Sequence, residues 1–133
     1  MEKVKFEKLE YLDFGENNIS NIDILEKVNF KELKGLYLYK NKISDIKVLE
    51  KVNFEKLEYL YLGENNISDI DILEKVNFKE LKKLYLFDNK ISDIKVLENV
   101  KFEKLEVLDL RDNKMDINQN NIIISKMKSI LKI

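Results

Sequence analysis

The sequence predicts an α/β solenoid in which a short strand, a turn and a short helical segment recur along the chain. Two observations support this prediction. First, one phrase recurs as LYLYKNKISDI at residues 36–46, LYLGENNISDI at 60–70 and LYLFDNKISDI at 84–94. Second, within each phrase the apolar residues change from a spacing of two, typical of a strand, to the spacing of a helix.

A period of 24 residues runs through most of the 133-residue chain. The unit reads F-x-x-L-x-x-L-x-L-x-x-N-x-I-x-x-I-x-x-L-x-x-V and fits five times, the last copy being incomplete after Met115. Its phenylalanine and asparagine recur at Phe6, Phe30, Phe54, Phe78 and Phe102, and at Asn17, Asn41, Asn65, Asn89 and Asn113. Because one unit cannot bury its own apolar face, stacked units are expected to share one continuous core.

The first part of each unit is predicted to be a strand. In LYLYKN, Leu36 and Leu38 face one side and Tyr37 and Tyr39 face the other, because successive side chains of a strand alternate. The leucine side is therefore the core side, and the tyrosine side is the outward one.

The second part of each unit is predicted to be a short helical or 3₁₀ segment. Ser44 precedes this segment and is a predicted N-cap, as are its equivalents Ser20, Ser68 and Ser92. In SDIKVLEKV one helical face carries the apolar residues Ile46, Val48, Leu49 and Val52.

The unit resembles the leucine-rich repeat, L-x-x-L-x-L-x-x-N-x-L, over residues 6–115. The spacing I-x-x-I-x-x-L after the asparagine is similar to the SDS22-like and internalin-like class, except for two extra residues between Val28 and Leu33. The resemblance implies a right-handed arc with a concave parallel β-sheet and short helical or 3₁₀ convex segments. It also implies that the recurring asparagines form a hydrogen-bonded ladder with a structural role.

Residues 1–115 are interpreted as the five-unit array and residues 116–133 as a C-terminal capping helix. In this helix Ile123, Met127, Ile130 and Leu131 would share one face. A helix that binds a partner is the alternative.

The N-terminal end shows no cap in the sequence, so apolar residues of the first unit are expected at an exposed end. Either the chain is a fragment of a longer array or a small free-standing protein that tolerates a weak end, or this end associates with something, and self-association is the hypothesis for that case. The residues concerned are Val4, Phe6, Leu9, Leu12 and Phe14.

Charges alternate in sign from one unit to the next, so the true repeat is a pair of units, 48 residues long. The alternating columns are Glu7, Lys31, Glu55, Lys79, Glu103; Lys8, Glu32, Lys56, Glu80, Lys104; Glu10, Lys34, Glu58, Lys82, Glu106; and Asp23, Lys47, Asp71, Lys95. Equivalent positions stack about 4.8 Å apart in a parallel sheet. Alternation therefore replaces repulsion between copies by attraction, worth about 0.2–1 kcal/mol per pair.

Composition argues against an enzyme. The chain has no histidine and no cysteine, and it lacks a glycine-rich phosphate loop, so no cofactor is predicted. Asp88, Asp109 and Asp112, with Glu106 nearby, are the strongest candidates for holding a cation, but a solvated acidic edge is the favoured interpretation and no metal site is predicted. A cytoplasmic location is expected if this is the full chain.

Nucleic-acid and membrane partners are not predicted. The net charge of −1 gives no basic groove, and no apolar run is long enough to span a bilayer.

A protein or peptide partner on the outward strand face is the favoured function. All six tyrosines and all three glycines fall in three outward columns: Tyr11, Gly35, Tyr59, Lys83, Val107; Asp13, Tyr37, Tyr61, Tyr85, Asp109; and Gly15, Tyr39, Gly63, Phe87, Arg111. Tyrosine is enriched in interface hot spots. The predicted partner-binding residues are Tyr11, Tyr37, Tyr39, Tyr59, Tyr61, Tyr85, Phe87, Asp109 and Arg111, with recesses expected at Gly15 and Gly63. The alternative is a structural spacer, a fragment or a consensus design without its own ligand.

Overall fold

The computed structural model describes residues 7–133 and contains a six-stranded parallel sheet in which the strands follow chain order. The strands are β1 Tyr11–Asp13, β2 Gly35–Tyr37, β3 Tyr59–Tyr61, β4 Lys83–Tyr85, β5 Val107–Asp109 and β6 Leu131–Lys132. From β1 to β5 each strand pairs with the next so that residues 24 apart are partners, for example Leu36 with Leu60. The predicted open solenoid is confirmed.

Four short 3₁₀ helices, one in each of the first four units, form the second layer of the solenoid. They span Asp23–Lys27, Lys47–Glu50, Asp71–Glu74 and Lys95–Glu98. The predicted serine caps are wrong, because no helix has a side-chain hydrogen bond at its N-cap. Instead the carboxylate of Asp45 accepts a hydrogen bond from the backbone N–H of Lys47 at 2.9 Å. In this local turn the side chain of one residue accepts from the N–H two positions later, a contact that Asp forms readily.

The core lies between the sheet and the 3₁₀ helices. The inward leucines of the central strands are fully buried, as are the isoleucines that follow each asparagine, such as Ile43 and Ile67. The two extra residues after Val28 bring Phe30 into this core, where its ring centroid lies 6.3 Å from that of Phe54. The insertion therefore adds a phenylalanine column to the buried layer.

The recurring asparagines form the implied ladder, which joins each unit to the one before it. The amide of Asn65 donates to the carbonyl oxygens of Leu62 and Gly63 in its own unit, at 3.1 and 3.2 Å, and to Leu38 of the preceding unit at 2.9 Å. Its Oδ1 accepts from the N–H of Ile43, also in the preceding unit, at 3.0 Å. Asn41, Asn89 and Asn113 repeat this pattern.

The residue before each asparagine has a left-handed backbone although none of these residues is glycine. The φ angle is 52° at Lys40, 56° at Glu64 and 50° at Asp88. Such a conformation costs roughly 1–2 kcal/mol at a non-glycine residue. The asparagine hydrogen bonds on either side of the turn hold it in place.

The ion pairs follow the predicted alternation in two of the four columns. Lys34 binds Glu10 at 3.2 Å and Lys56 binds Glu32 at 2.7 Å, and the same arrangement recurs at 3.3 Å for Lys82–Glu58 and 2.6 Å for Lys104–Glu80. In each pair the glutamate belongs to the earlier unit and the lysine to the later one. The two columns supply these bridges alternately. Each of the four junctions between successive units, from unit 1 to unit 5, therefore has one such lysine–glutamate bridge within residues 7–133.

The C-terminal segment contains a short helix but is not the single helix predicted for residues 116–133. Helix α1 covers only Asn121–Lys126, and its Ile123 is buried in the core. The chain then extends into β6, where Leu131 pairs with Leu108 and prolongs the sheet. The assignment of Ile130 and Leu131 to a helical face is therefore wrong. Residues 116–133 cover the array with a short helix and an added strand.

At the N-terminal end, Val4 and Phe6 lie outside the described residues. Leu9 and Leu12 are partly buried against the core, and Phe14 is exposed. Self-association through this end remains a prediction.

Removing whole units tests the pairing of charges. Deleting residues 30–53 would place Glu7, Lys8 and Glu10 beside the like charges Glu55, Lys56 and Glu58. Deleting 30–77 leaves every sign in register. We expect the one-unit deletion to melt at a lower temperature than the two-unit deletion at low salt, although it keeps more of the core.

The same comparison in about 1 M salt, where the Debye length is about 3 Å, isolates the electrostatic part of this effect. The melting difference between the two deletions should shrink there. If the one-unit deletion melts no lower than the two-unit deletion at low salt, the charge account is wrong.

Candidate partner-binding face

The outward side of the sheet presents the three predicted columns, which we call the concave face. Its residues lie in and just after β1 to β5, where strand alternation turns them away from the buried leucines. The in-register parallel pairing places equivalent residues of successive units side by side, as in Tyr37 with Tyr61 and Tyr61 with Tyr85. The structure therefore brings the predicted aromatic residues together on one surface.

Three tyrosines form the centre of this face, and we call Tyr37, Tyr61 and Tyr85 the tyrosine stack. The ring centroids of Tyr37 and Tyr61 are 4.7 Å apart with planes at 37°, and those of Tyr61 and Tyr85 are 4.4 Å apart with planes at 28°. Tyr61 and Tyr85 are therefore stacked, and Tyr37 is tilted against Tyr61, at separations close to the short end of the range for aromatic pairs. Asp13 and Asp109 occupy the equivalent positions at the two ends of the stack.

Two tyrosines of the stack, Tyr37 and Tyr61, resist ionisation. Burial raises the pKa of Tyr61 to about 12, and the neighbouring Tyr85 adds to the shift through its charge and a hydrogen bond. Burial also raises the pKa of Tyr37, with contributions from Tyr11 and Tyr59. The hydroxyls of Tyr37 and Tyr61 are therefore protonated donors across the physiological range.

The predicted recesses at Gly15 and Gly63 are not open. The ring of Tyr39 lies over Gly15, where a β-carbon would approach it to 2.3 Å, and the ring of Phe87 lies over Gly63, where the distance would be 2.5 Å. Each ring fills the space beside the glycine of the preceding unit. The expectation of recesses was wrong because the sequence shows only that a glycine stands beside a large ring. It does not show that the ring leans over the glycine and fills the space there.

Two predicted residues at the C-terminal end of the face bind each other. The Arg111 guanidinium donates to both carboxylate oxygens of Asp109, from Nε at 2.9 Å and from Nη2 at 2.7 Å. Burial raises the pKa of Asp109, but the hydrogen bonds and charge of Arg111 outweigh that effect and leave the pKa below its usual value. Asp109 is fully buried, so it positions Arg111 and does not itself present a surface to a partner.

The pairing of Asp109 with Arg111 also bears on the acidic residues that were the strongest candidates for holding a cation, Asp88, Asp109 and Asp112. Asp109 is committed to Arg111, and within residues 7–133 no three acidic side chains lie close enough to hold a metal ion. No helix in this range is long and apolar enough to cross a membrane.

The first column combines an exposed tyrosine with a lysine. Tyr11 is 52% exposed, and Gly35 sits between the rings of Tyr11 and Tyr37 with no room for a side chain. Lys83 places its ammonium 6.0 Å from the ring centroid of Tyr59, a contact the sequence reasoning did not single out. The signal for it was present, since Lys83 and Tyr59 are one unit apart in the same column.

Comparison with known proteins gives the family of the chain. The model for the family of leucine-rich repeats in two copies matches residues 7–51, 31–75 and 55–99. The chain therefore belongs to the leucine-rich repeat family. It is of the internalin-like type, as the following structural similarities support.

Internalin C2 from Listeria monocytogenes is 31% identical, with a TM-score of 0.68 over 81% of this chain and 44% of that one. A leucine-rich repeat protein of Leptospira interrogans has a TM-score of 0.78 at 23% identity, over 96% of this chain and 32% of that one. The plant peptide hormone receptor RGFR1 in complex with RGF2 has a TM-score of 0.61 at 23% identity, over 82% and 18%.

The chain thus spans less than half the length of each of these structures. A search of curated proteins finds no match.

The pKa of Tyr61 predicts alkaline sensitivity. Because this pKa is raised from 10.0 in the unfolded chain to about 12 in the folded one, the stability it contributes is present below pH 10 and is lost as the pH rises towards 12. In a spectrophotometric titration at 295 nm, we expect Tyr61 to ionise in a late phase near pH 12. Tyr61→Phe should remove that phase and flatten the loss of stability in this window.

Tyr11→Phe is the matched control because Tyr11 lies outside the stack, and it should leave the late phase intact. A single transition of all the tyrosines near pH 10 would contradict the assignment.

Proposed function

We propose that this chain is a non-enzymatic interaction module that binds a protein or peptide through its concave face. Leucine-rich repeat proteins, including internalins and receptors, commonly mediate protein–protein interactions and are generally not enzymes. The observation that carries the proposal is the location of every tyrosine on one face, around the tyrosine stack.

The physical properties of the face support binding. Tyrosine buries a large area with few torsions to restrict and keeps a hydroxyl for hydrogen bonding, so a partner gains apolar contact and a polar anchor together. The stack holds its rings against each other in the free protein, and Tyr39 and Phe87 are held over glycines. Binding would therefore cost little additional side-chain entropy at these positions.

The alternative is a structural spacer in which the rings serve only the sheet. The contacts of Tyr39 with Gly15 and of Phe87 with Gly63 are contacts that this alternative requires, because they fill space within the array. Stacked rings in neighbouring strands also stabilise a sheet by themselves. The two functions separate when stability and binding are measured on the same variants.

The test changes Tyr37, Tyr61 and Tyr85 together to Ser. The two ring contacts are together worth about 1–3 kcal/mol beyond the area that the rings bury, so we expect unfolding in urea to show a loss of a few kcal/mol with the fold retained. Peptides and protein domains selected against the unmodified chain from a display library should lose their binding.

The matched control changes the same three residues to Phe, which keeps the rings. It should retain stability close to that of the unmodified chain and part of the binding. If the serine variant loses several kcal/mol more than expected and the library yields no binder that depends on these tyrosines, the spacer interpretation is correct.

A further inference from the structure

We infer that copies of this chain associate head to tail, with strand β6 of one copy pairing in parallel with strand β1 of a second copy. The array then continues from one molecule to the next as it continues from one unit to the next. This inference goes beyond the proposed function, because it concerns the two edges of the sheet and not the tyrosine stack. It is carried by the exposed apolar residues, by the register of the edge strands and by the opposite charges of the two ends.

In the part of the chain that the structure describes, large exposed apolar residues lie only at the two ends of the array. Three belong to the first unit and three to the C-terminal segment: Tyr11, Phe14 and Ile24, and Ile117, Ile122 and Ile133. Ile24 is 63% exposed, whereas the equivalent residues of the next three units are all buried. Those three units each have a unit before them, so a preceding unit is what covers this position.

Strands β1 and β6 are the two edges of the six-stranded sheet, and their inward residues occupy the same two columns of the core. Leu12 and Leu131 stand at the ends of one column, in which the leucines of the four units between them are fully buried. Phe14 and Ile133 stand at the ends of the next column and are 47% and 46% exposed, although the leucines between them are fully buried. A second copy placed with its β1 beside β6 in this register would extend both columns and cover both exposed residues.

The backbone groups at the two edges also match a parallel junction. Phe14 turns its N–H towards β2, where it donates to the carbonyl of Tyr37 at 2.8 Å, so the neighbouring Asp13 turns its backbone groups to the open edge. The same bond joins β5 to β6 at 2.7 Å and leaves the N–H of Ile133 at the outer edge of β6. The contact that joins successive units would therefore join two copies, from the N–H of Ile133 to the carbonyl oxygen of Asp13.

The two ends of the array carry opposite charge. Residues 7–29 have six acidic and two basic side chains, a net charge of −4, whereas residues 116–133 have three lysines and one aspartate, a net charge of +2. The four units between these ends are alternately net positive and net negative. An acidic first unit placed after the basic C-terminal segment therefore continues the alternation that runs through the array.

These charges select head-to-tail association over a symmetric dimer. Two copies joined through their β1 edges would bring two acidic ends together, and two joined through their β6 edges would bring two basic ends together. In the head-to-tail arrangement Lys132 stands beside Asp13 of the second copy, and neither side chain has an ion pair within residues 7–133. Because such a contact leaves an open edge on each molecule, assembly continues beyond a dimer.

Sedimentation velocity of the full chain at increasing concentrations, up to millimolar, tests the mode of association. We expect dimers, trimers and longer species to appear in turn. They should dissociate in part in about 1 M salt, where the Debye length is about 3 Å. A chain that stays monomeric at millimolar concentration, or whose assembly stops at a dimer, would overturn the inference.

Variants that block one edge each make the test specific. Phe14→Asp blocks the edge of β1 and Ile133→Asp blocks the edge of β6, and each should weaken self-association at least about tenfold, which corresponds to about 1.4 kcal/mol. An equimolar mixture of the two variants should form a dimer and nothing larger, because only one intact β1 edge and one intact β6 edge can meet. Ser68→Asp adds the same charge at an exposed position in the third unit and should assemble like the unmodified chain.

Thermal melting of each variant, which should be close to that of the unmodified chain, confirms that the fold is retained. A dimer in the mixture, with monomers for each blocked variant alone, supports the pairing of β6 with β1. Undiminished assembly of either blocked variant alone, or a mixture that stays monomeric where the unmodified chain assembles, would overturn it.

Discussion

The hydrogen bonds of the recurring asparagines are the interaction on which the rest of the structure depends. Where the chain leaves each strand, its backbone groups lose their sheet partners, and buried groups without partners are costly. The side chain of Asn65 supplies three donor contacts and one acceptor contact there, two of them to the preceding unit. These contacts hold the left-handed residue Glu64 in place and fix the register of neighbouring units. The leucine core and the tyrosine stack follow from that register.

A second constraint acts on pairs of units. Glutamate of one unit meets lysine of the next, and a large ring of one unit meets glycine of the one before, so the units fit best when two kinds alternate. Charge and shape therefore impose the same period of 48 residues on the segments that precede the strands and on the concave face. That period also sets the distance between equivalent aromatic groups. The alternation of charge and side-chain size that stabilises the array therefore determines the geometry of its surface.

Much of this architecture can be predicted from the sequence because a repeat multiplies weak local signals. The strands, the core leucines and the grouping of tyrosines follow from spacing, and the asparagine ladder is implied by the resemblance to leucine-rich repeats. The serine caps failed because Ser44 and Asp45 are both capable of capping, and only the backbone geometry selects the aspartate. The C-terminal segment departs from the 24-residue pattern, so its strand β6 carried no repeat signal. The burial of Asp109 and the direction in which Tyr39 leans depend on side-chain packing, which spacing does not encode.

The most direct measurement of the central claim compares Asn65→Ala with Asn17→Ala by urea unfolding. Asn65 bonds both its own unit and the preceding one, whereas the exposed Asn17 bonds only Phe14 and Gly15 of its own turn. Since each buried group left without a partner costs about 1–3 kcal/mol, Asn65→Ala should lose about 3 kcal/mol or more and Asn17→Ala about 1 kcal/mol. Equal losses for the two variants would contradict the account, because the bonds between units would then contribute nothing beyond those within a turn.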